Sequence, residues 1–188
     1  MITLWKTVVQ SKLDYCSQLW SPSDQSSISL LEGVAKAFTA RVSGMEGLDY
    51  WDRLKQLGMY SQERRRERYQ VMFIWKLSQG LVTGYSLPFQ NNDRRGTHVI
   101  VPPLSSRSPS SVRKAREASL QVKGARLYNI MPLHLRNMTG VSVEMFKAAL
   151  DTWLGSIPDQ PTTNGRQRAA LTNSLLDQVN KFRLDLYS

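Results

Sequence analysis

The residues best able to do chemistry in this sequence are cationic. Between Arg53 and Arg126 there are 15 Lys or Arg against 4 Asp or Glu, while the remainder of the 188 residues holds 10 basic against 11 acidic side chains. The formal charge of +10 therefore resides in one central tract. A concentrated tract of this kind creates a local field that attracts phosphates, whereas a uniform surplus affects solubility and little else. The spacing singles out Arg65, Arg68, Arg94, Arg95, Arg113, Lys114, Arg116, Lys123 and Arg126 as candidate phosphate contacts. Arg64 and Arg66 are set apart, because Glu67 and Glu63 stand three residues from them on a helix and can neutralise them locally. Tyr69, Trp75 and Tyr128 are the aromatic side chains near enough in sequence to stack on bases, although Trp75 sits in an enclosed stretch where core packing is expected.

Other chemistries lack their parts. His98, His134 and Cys16 are too few and too scattered to make a four-ligand zinc site. The chain contains no Gly-rich loop ending in Gly-Lys-Ser/Thr, no Gly-x-Ser-x-Gly elbow and no Asp-Asp pair for two metal ions. No catalytic residue, metal, cofactor or small-molecule substrate is therefore expected. The single cysteine, the absence of a secretory leader pattern and the absence of a run of about 20 apolar residues lead us to expect an intracellular chain, nuclear or cytoplasmic, with no membrane partner.

The elements that must carry these residues are mainly helical. Leu4 to Trp20 reads as one amphipathic helix whose apolar half includes Trp5, Val9, Leu13 and Cys16. Ser21-Pro22-Ser23-Asp24 ends it and caps a second helix through Leu30, Leu31, Val34, Ala37 and Phe38, which stops near Gly44. A short helix over 52–57 stops at Gly58, and a fourth over 61–79 stops at Gly80. The fourth is charged all round at first, then apolar all round from Val71 to Leu77, so its second half must be enclosed. Residues 1–81 are expected to form one helical domain. A basic Ser/Pro/Gly-rich loop over 82–117 follows, with one short strand near His98 to Val101. Phosphorylation of its serines would offset the charge of Arg107, Arg113 and Lys114. Residues 118–157 should pack on the first domain through an extended piece at 118–122, a helix at 123–130 and a patterned helix after Ser142. Over 158–188 a linker leads to a loosely attached helix striped by Leu171, Leu175, Leu176, Val179, Phe182 and Leu186.

From Leu13-Asp14-Tyr15-Cys16-Ser17-Gln18-Leu19-Trp20-Ser21-Pro22 onward the sequence resembles the region that follows the polymerase palm in jockey-like, non-long-terminal-repeat retrotransposon reverse transcriptases. The likeness continues in order through Arg53-Leu54-Lys55-Gln56-Leu57-Gly58, Glu63-Arg64-Arg65-Arg66-Glu67-Arg68-Tyr69, Gly124-Ala125-Arg126-Leu127-Tyr128-Asn129 and Pro132-Leu133-His134-Leu135-Arg136-Asn137. The resemblance implies a thumb-like helical domain and the segment after it, which in that family help hold the RNA template and DNA primer. The metal-binding aspartates of that family would lie before Met1. The expectation is a non-catalytic module that binds RNA or DNA backbone without sequence preference. The alternatives are a helical module that packs on a polymerase palm or another protein, and a transposon remnant with no selected role.

Overall fold

The computed structural model describes residues 1–92, 96–161 and 173–185. The protein is mainly α-helical, with one two-stranded antiparallel sheet. It divides into two compact units. The first comprises Met1–Arg66 with Asp159–Ser174, and the second Glu67–Pro158 with Leu175–Ser188.

In the first unit, α1 (Ile2–Leu4), a π-helical turn (Trp5–Val9) and α2 (Gln10–Asp14) form a continuous helical run. The π turn brings Trp5 and Gln10 inward together, and the Trp5 indole donates to Gln10 Oε1 at 3.0 Å. Gln10 in turn donates to Asp14 at 2.8 Å and to Gln62 at 3.2 Å, so a buried amide is satisfied along its length. The run does not continue to Trp20 as its periodicity predicts. Cys16 takes a left-handed conformation at φ +49°, and a separate α3 (Ser17–Trp20) follows. The break has identifiable partners: Arg66 donates to the Leu13 carbonyl at 2.9 Å and the Trp20 indole to the Tyr15 carbonyl at 2.5 Å. Side chains thus satisfy carbonyls that the helix end leaves open.

The second helix, α4 (Gln25–Thr39), is capped by Asp24, whose side chain accepts from the Ser27 amide at 2.8 Å. Its buried stripe is Ile28, Ala35 and Thr39, one face round from the expected one, and Leu30 and Val34 are exposed. Asp49 caps α5 (Tyr50–Gln56) in the same way through the Asp52 amide. Trp5, Ala35, Tyr50 and Leu54 make the core of this unit, and Trp5 stacks on Phe38 with centroids 4.4 Å apart.

The long helix α6 (Gln62–Ser78) contributes residues up to Arg66 to the first unit and the rest to the second. As expected, its apolar half is enclosed: Val71, Ile74 and Trp75 are buried, with Trp75 stacked on Phe146 at 4.2 Å and its indole bonded to the Met138 carbonyl. Strands β1 (Phe89–Asn92) and β2 (Gly96–Val99) pair antiparallel, with Phe89 opposite Val99 and Asn92 opposite Gly96. The β-prone stretch at His98 is therefore a strand.

The loop expected over 82–117 ends at Pro109, because α7 (Ser110–Ala118) is helical. This helix buries none of its residues, so it carries no apolar stripe for sequence periodicity to reveal. In place of an extended piece, a π-helical turn (Leu120–Gly124) leads into α8 (Ala125–Asn129). Gly124 lies close to its neighbours there: a Cβ would come within 2.8 Å of Leu120 Cδ1, the end of a side chain that can rotate, and 3.4 Å of Ile74. After α9 (Leu133–Arg136), α10 (Val143–Gly155) follows the predicted pattern, with Ser142 as cap and Phe146, Leu150 and Leu154 buried. The last helix, α11 (Leu175–Asp185), packs on α8 and buries Leu175 and Val179. Leu171 and Leu186 of its expected stripe lie outside the described residues. No helix among the described residues is long and apolar enough to cross a membrane.

Candidate nucleic-acid interface

The first half of α6 is where the sequence suggests a charged, solvated surface, and the structure buries it. Glu63, Arg64, Arg66, Glu67 and Arg68 are all buried. Arg65, expected to be free of local partners, forms a bidentate pair with Asp14, Nη2 to Oδ2 at 2.6 Å and Nε to Oδ1 at 3.0 Å. Arg68 likewise grips Asp151 at 2.5 and 2.8 Å. Both partners are remote in sequence, so the i,i+3 reasoning that assigned Arg64 and Arg66 could not find them. Arg64 Nε lies 4.0 Å from Asp159. The Arg66 guanidinium lies 3.8 Å from the Trp20 ring centroid, and burial draws its pKa below the ordinary arginine value. Arg64, Arg66 and Arg68 are internal cations of the fold, and Arg65 is half-buried beside them.

A second acid of α6 removes another candidate. Lys123 Nζ stands 3.3 Å from Glu67 and its side chain is 15% exposed, while Glu67 is wholly buried. The same carboxylate accepts the Leu175 amide at 2.6 Å. Of the aromatic candidates, Trp75 and Tyr128 are buried, and the Tyr128 hydroxyl donates to the Arg136 carbonyl at 3.3 Å. Neither offers a ring face to a base. Arg94 and Arg95 fall between the paired strands, outside the described residues.

The remaining candidates gather around α7. An open groove of about 560 Å³ in the second unit is lined by Arg113, Arg116, Glu117 and Arg126, by Ser105 and Ser106, and by Val101 to Leu104. Lys114 is exposed on the same helix, and Arg107 is exposed in the serine tract. Arg113 donates to the Ser106 carbonyl at 3.2 Å, and Arg116 to the Pro102 carbonyl. Both accept no neutralising charge in this way, because a carbonyl is a neutral acceptor. Arg126 is paired with Glu117, with both partners partly exposed. From Gly96 to Ile130 the sequence has 6 Lys or Arg and one carboxylate, Glu117; with Lys123 paired to Glu67, five cations share that carboxylate and a net positive charge remains around the groove. Arg107 was not among the residues marked by spacing. Its position six residues before Arg113 in a tract without acids is the signal that would have included it.

The groove contains no histidine, cysteine or tyrosine, and no group of three metal-ligating side chains occurs among the described residues. What it can do chemically is bind an anion. The chain matches no family model, no curated protein and no solved structure.

Proposed function

We propose that the protein is a non-catalytic module that binds the phosphate backbone of RNA or DNA through the groove on α7, in the manner expected of the post-palm region of a retrotransposon reverse transcriptase. The observation that carries this reading is the charge imbalance of the groove: three arginines and Lys114 share one carboxylate. Guanidiniums bonded to carbonyls retain their charge and further N–H donors for a phosphate. Contacts of this type position a backbone and carry no base information, so binding should be indifferent to sequence. Gel retardation of an RNA–DNA hybrid, a duplex and a single strand at ~50 mM salt tests it, since electrostatic binding is strong there. We expect retardation that weakens with salt with a log–log slope of about −4, at roughly −0.9 per phosphate contact. No retardation of any of the three, or retardation indifferent to salt, would overturn the reading.

A second reading draws on the first unit. Leu4, Val8, Tyr15, Leu19, Leu30 and Val34 are exposed there, which supports a helical interaction module that packs on a polymerase palm or another protein. Absence of nucleic-acid binding together with concentration-dependent self-association in light scattering would favour it.

A further inference from the structure

Hydroxyls line the groove beside the arginines. Ser105 and Ser106 are exposed and line the groove with Arg113, Arg116 and Arg126. The Ser105 hydroxyl accepts the Arg107 amide at 3.3 Å, and its carbonyl accepts the Ser108 amide at 3.1 Å, so Ser105 is engaged in its own turn. Ser106 differs, because its main chain already touches a cation: Arg113 Nη2 lies 3.2 Å from its carbonyl. A phosphoryl group on Ser106 Oγ would extend from a residue already within hydrogen-bond distance of a guanidinium. Among the described residues Arg113 and Arg116 meet carbonyls and no carboxylate.

We propose that Ser106 is a phosphorylation site whose phosphate occupies the arginine groove and displaces nucleic acid from it. The inference rests on the nucleic-acid reading above and supplies its regulation. The reaction is transfer from ATP by a protein serine kinase. Ser106 Oγ forms a bond to the γ-phosphorus, the bond from that phosphorus to the β,γ-bridging oxygen breaks, ADP leaves, and the hydroxyl proton passes to the kinase's base and then to water. A phosphatase reverses the charge change by hydrolysis. Phosphoserine brings about −1.5 to −2 charges and three strong acceptor oxygens. Set against Arg107, Arg113, Lys114, Arg116 and Arg126 with the one carboxylate of Glu117, that removes roughly two of four excess charges. The tethered phosphate also avoids the translational cost that an incoming strand must bear.

The test uses the full chain in three forms: unmodified, Ser106→Ala, and with phosphoserine encoded at 106. The Ser106→Ala chain separates loss of the hydroxyl from gain of the phosphate, and the phosphoserine chain should bind a duplex more weakly than it does. The phosphoserine chain should bind about tenfold more weakly or worse at ~100 mM salt, with a log–log slope smaller in magnitude by about two. Its phosphorus resonance, titrated without nucleic acid, should report a second pKa below the ordinary value of about 6, since nearby guanidiniums favour the dianion. Unmodified chain that binds while the phosphoserine chain binds equally well would overturn the switch and leave the nucleic-acid reading standing. An unshifted phosphorus titration would overturn the groove contact even if affinity fell. Failure of the unmodified chain to bind would remove both.

Discussion

Glu67 has no access to solvent, and its two oxygens meet the Lys123 ammonium at 3.3 Å and the Leu175 amide at 2.6 Å. Taking a carboxylate out of water is costly, and an amide and an ammonium are what make this burial tolerable. Removing the charge by Glu67→Gln leaves Lys123 mostly buried without its counter-ion. The expected loss is about 3 kcal/mol, read as a lower urea midpoint at unchanged m-value. Glu32 presents the opposite case. It accepts from the Tyr50 hydroxyl and from the Glu63 amide at 2.9 Å, yet burial outweighs these bonds and raises its pKa. In the interval from the ordinary carboxyl value of 4.5 up to the raised one, the folded chain holds more protons than the unfolded chain. Stability must fall as pH rises through that interval. The free-energy difference between Glu32→Gln and the unsubstituted chain should therefore shift in favour of glutamine as pH rises from 4.5 through the raised value, while both should respond alike above it. Urea melts at a series of pH values would measure this, and parallel curves throughout would contradict it.

Elements divide according to what defines them. The core-facing arc of α10, the Asp24 cap and the glycine ends at Gly58 and Gly80 were legible because local rules set them. The break at Cys16 was not legible, since neither glycine nor proline marks it and the carbonyls it frees are satisfied by Arg66, from another helix, and by Trp20. Helix α7 was hidden by a composition that reads as loop, and the candidate site was only half visible for a related reason. Residues clustered in sequence, such as Arg65 and Arg68, turned out to have acids 51 and 83 positions away, and only the fold brings those together. The hairpin depends on a similar distant contact. The Asn129 side chain accepts the Val99 amide at 2.9 Å and donates to the Val99 carbonyl at 2.8 Å, closing the free edge of β2. Asn129→Ala would leave both main-chain groups of a buried residue without partners. We expect a cost of about 2 kcal/mol and faster hydrogen exchange at the Val99 amide.

At the scale of the whole molecule, the +10 charge has two separate destinations, and they predict opposite phenotypes. On α6, Arg64, Arg66 and Arg68 lie inside, and Arg65 and Arg68 are matched by acids: Arg68 is 8% exposed against Asp151 at 36%. Around α7 they lie outside with little to neutralise them. Because solvent reaches the partly exposed Asp151 and screens the pair, Arg68→Gln should cost about 2 kcal/mol of stability, less than a wholly buried pair, and should leave the salt slope of nucleic-acid binding unchanged. Replacing Arg113, Lys114 and Arg116 together by Gln should do the reverse. These side chains bury no apolar core, so the urea midpoint should move by less than about 0.5 kcal/mol equivalent. Losing three phosphate contacts should reduce the slope by about 2.7 at the same time. Measuring both quantities on both variants separates the two destinations of charge, because a single undifferentiated basic surface would make the α6 variant lose affinity in proportion to its charge. A loss of slope in Arg68→Gln comparable, per charge removed, to that in the α7 variant would show that the arginines of α6 reach nucleic acid after all.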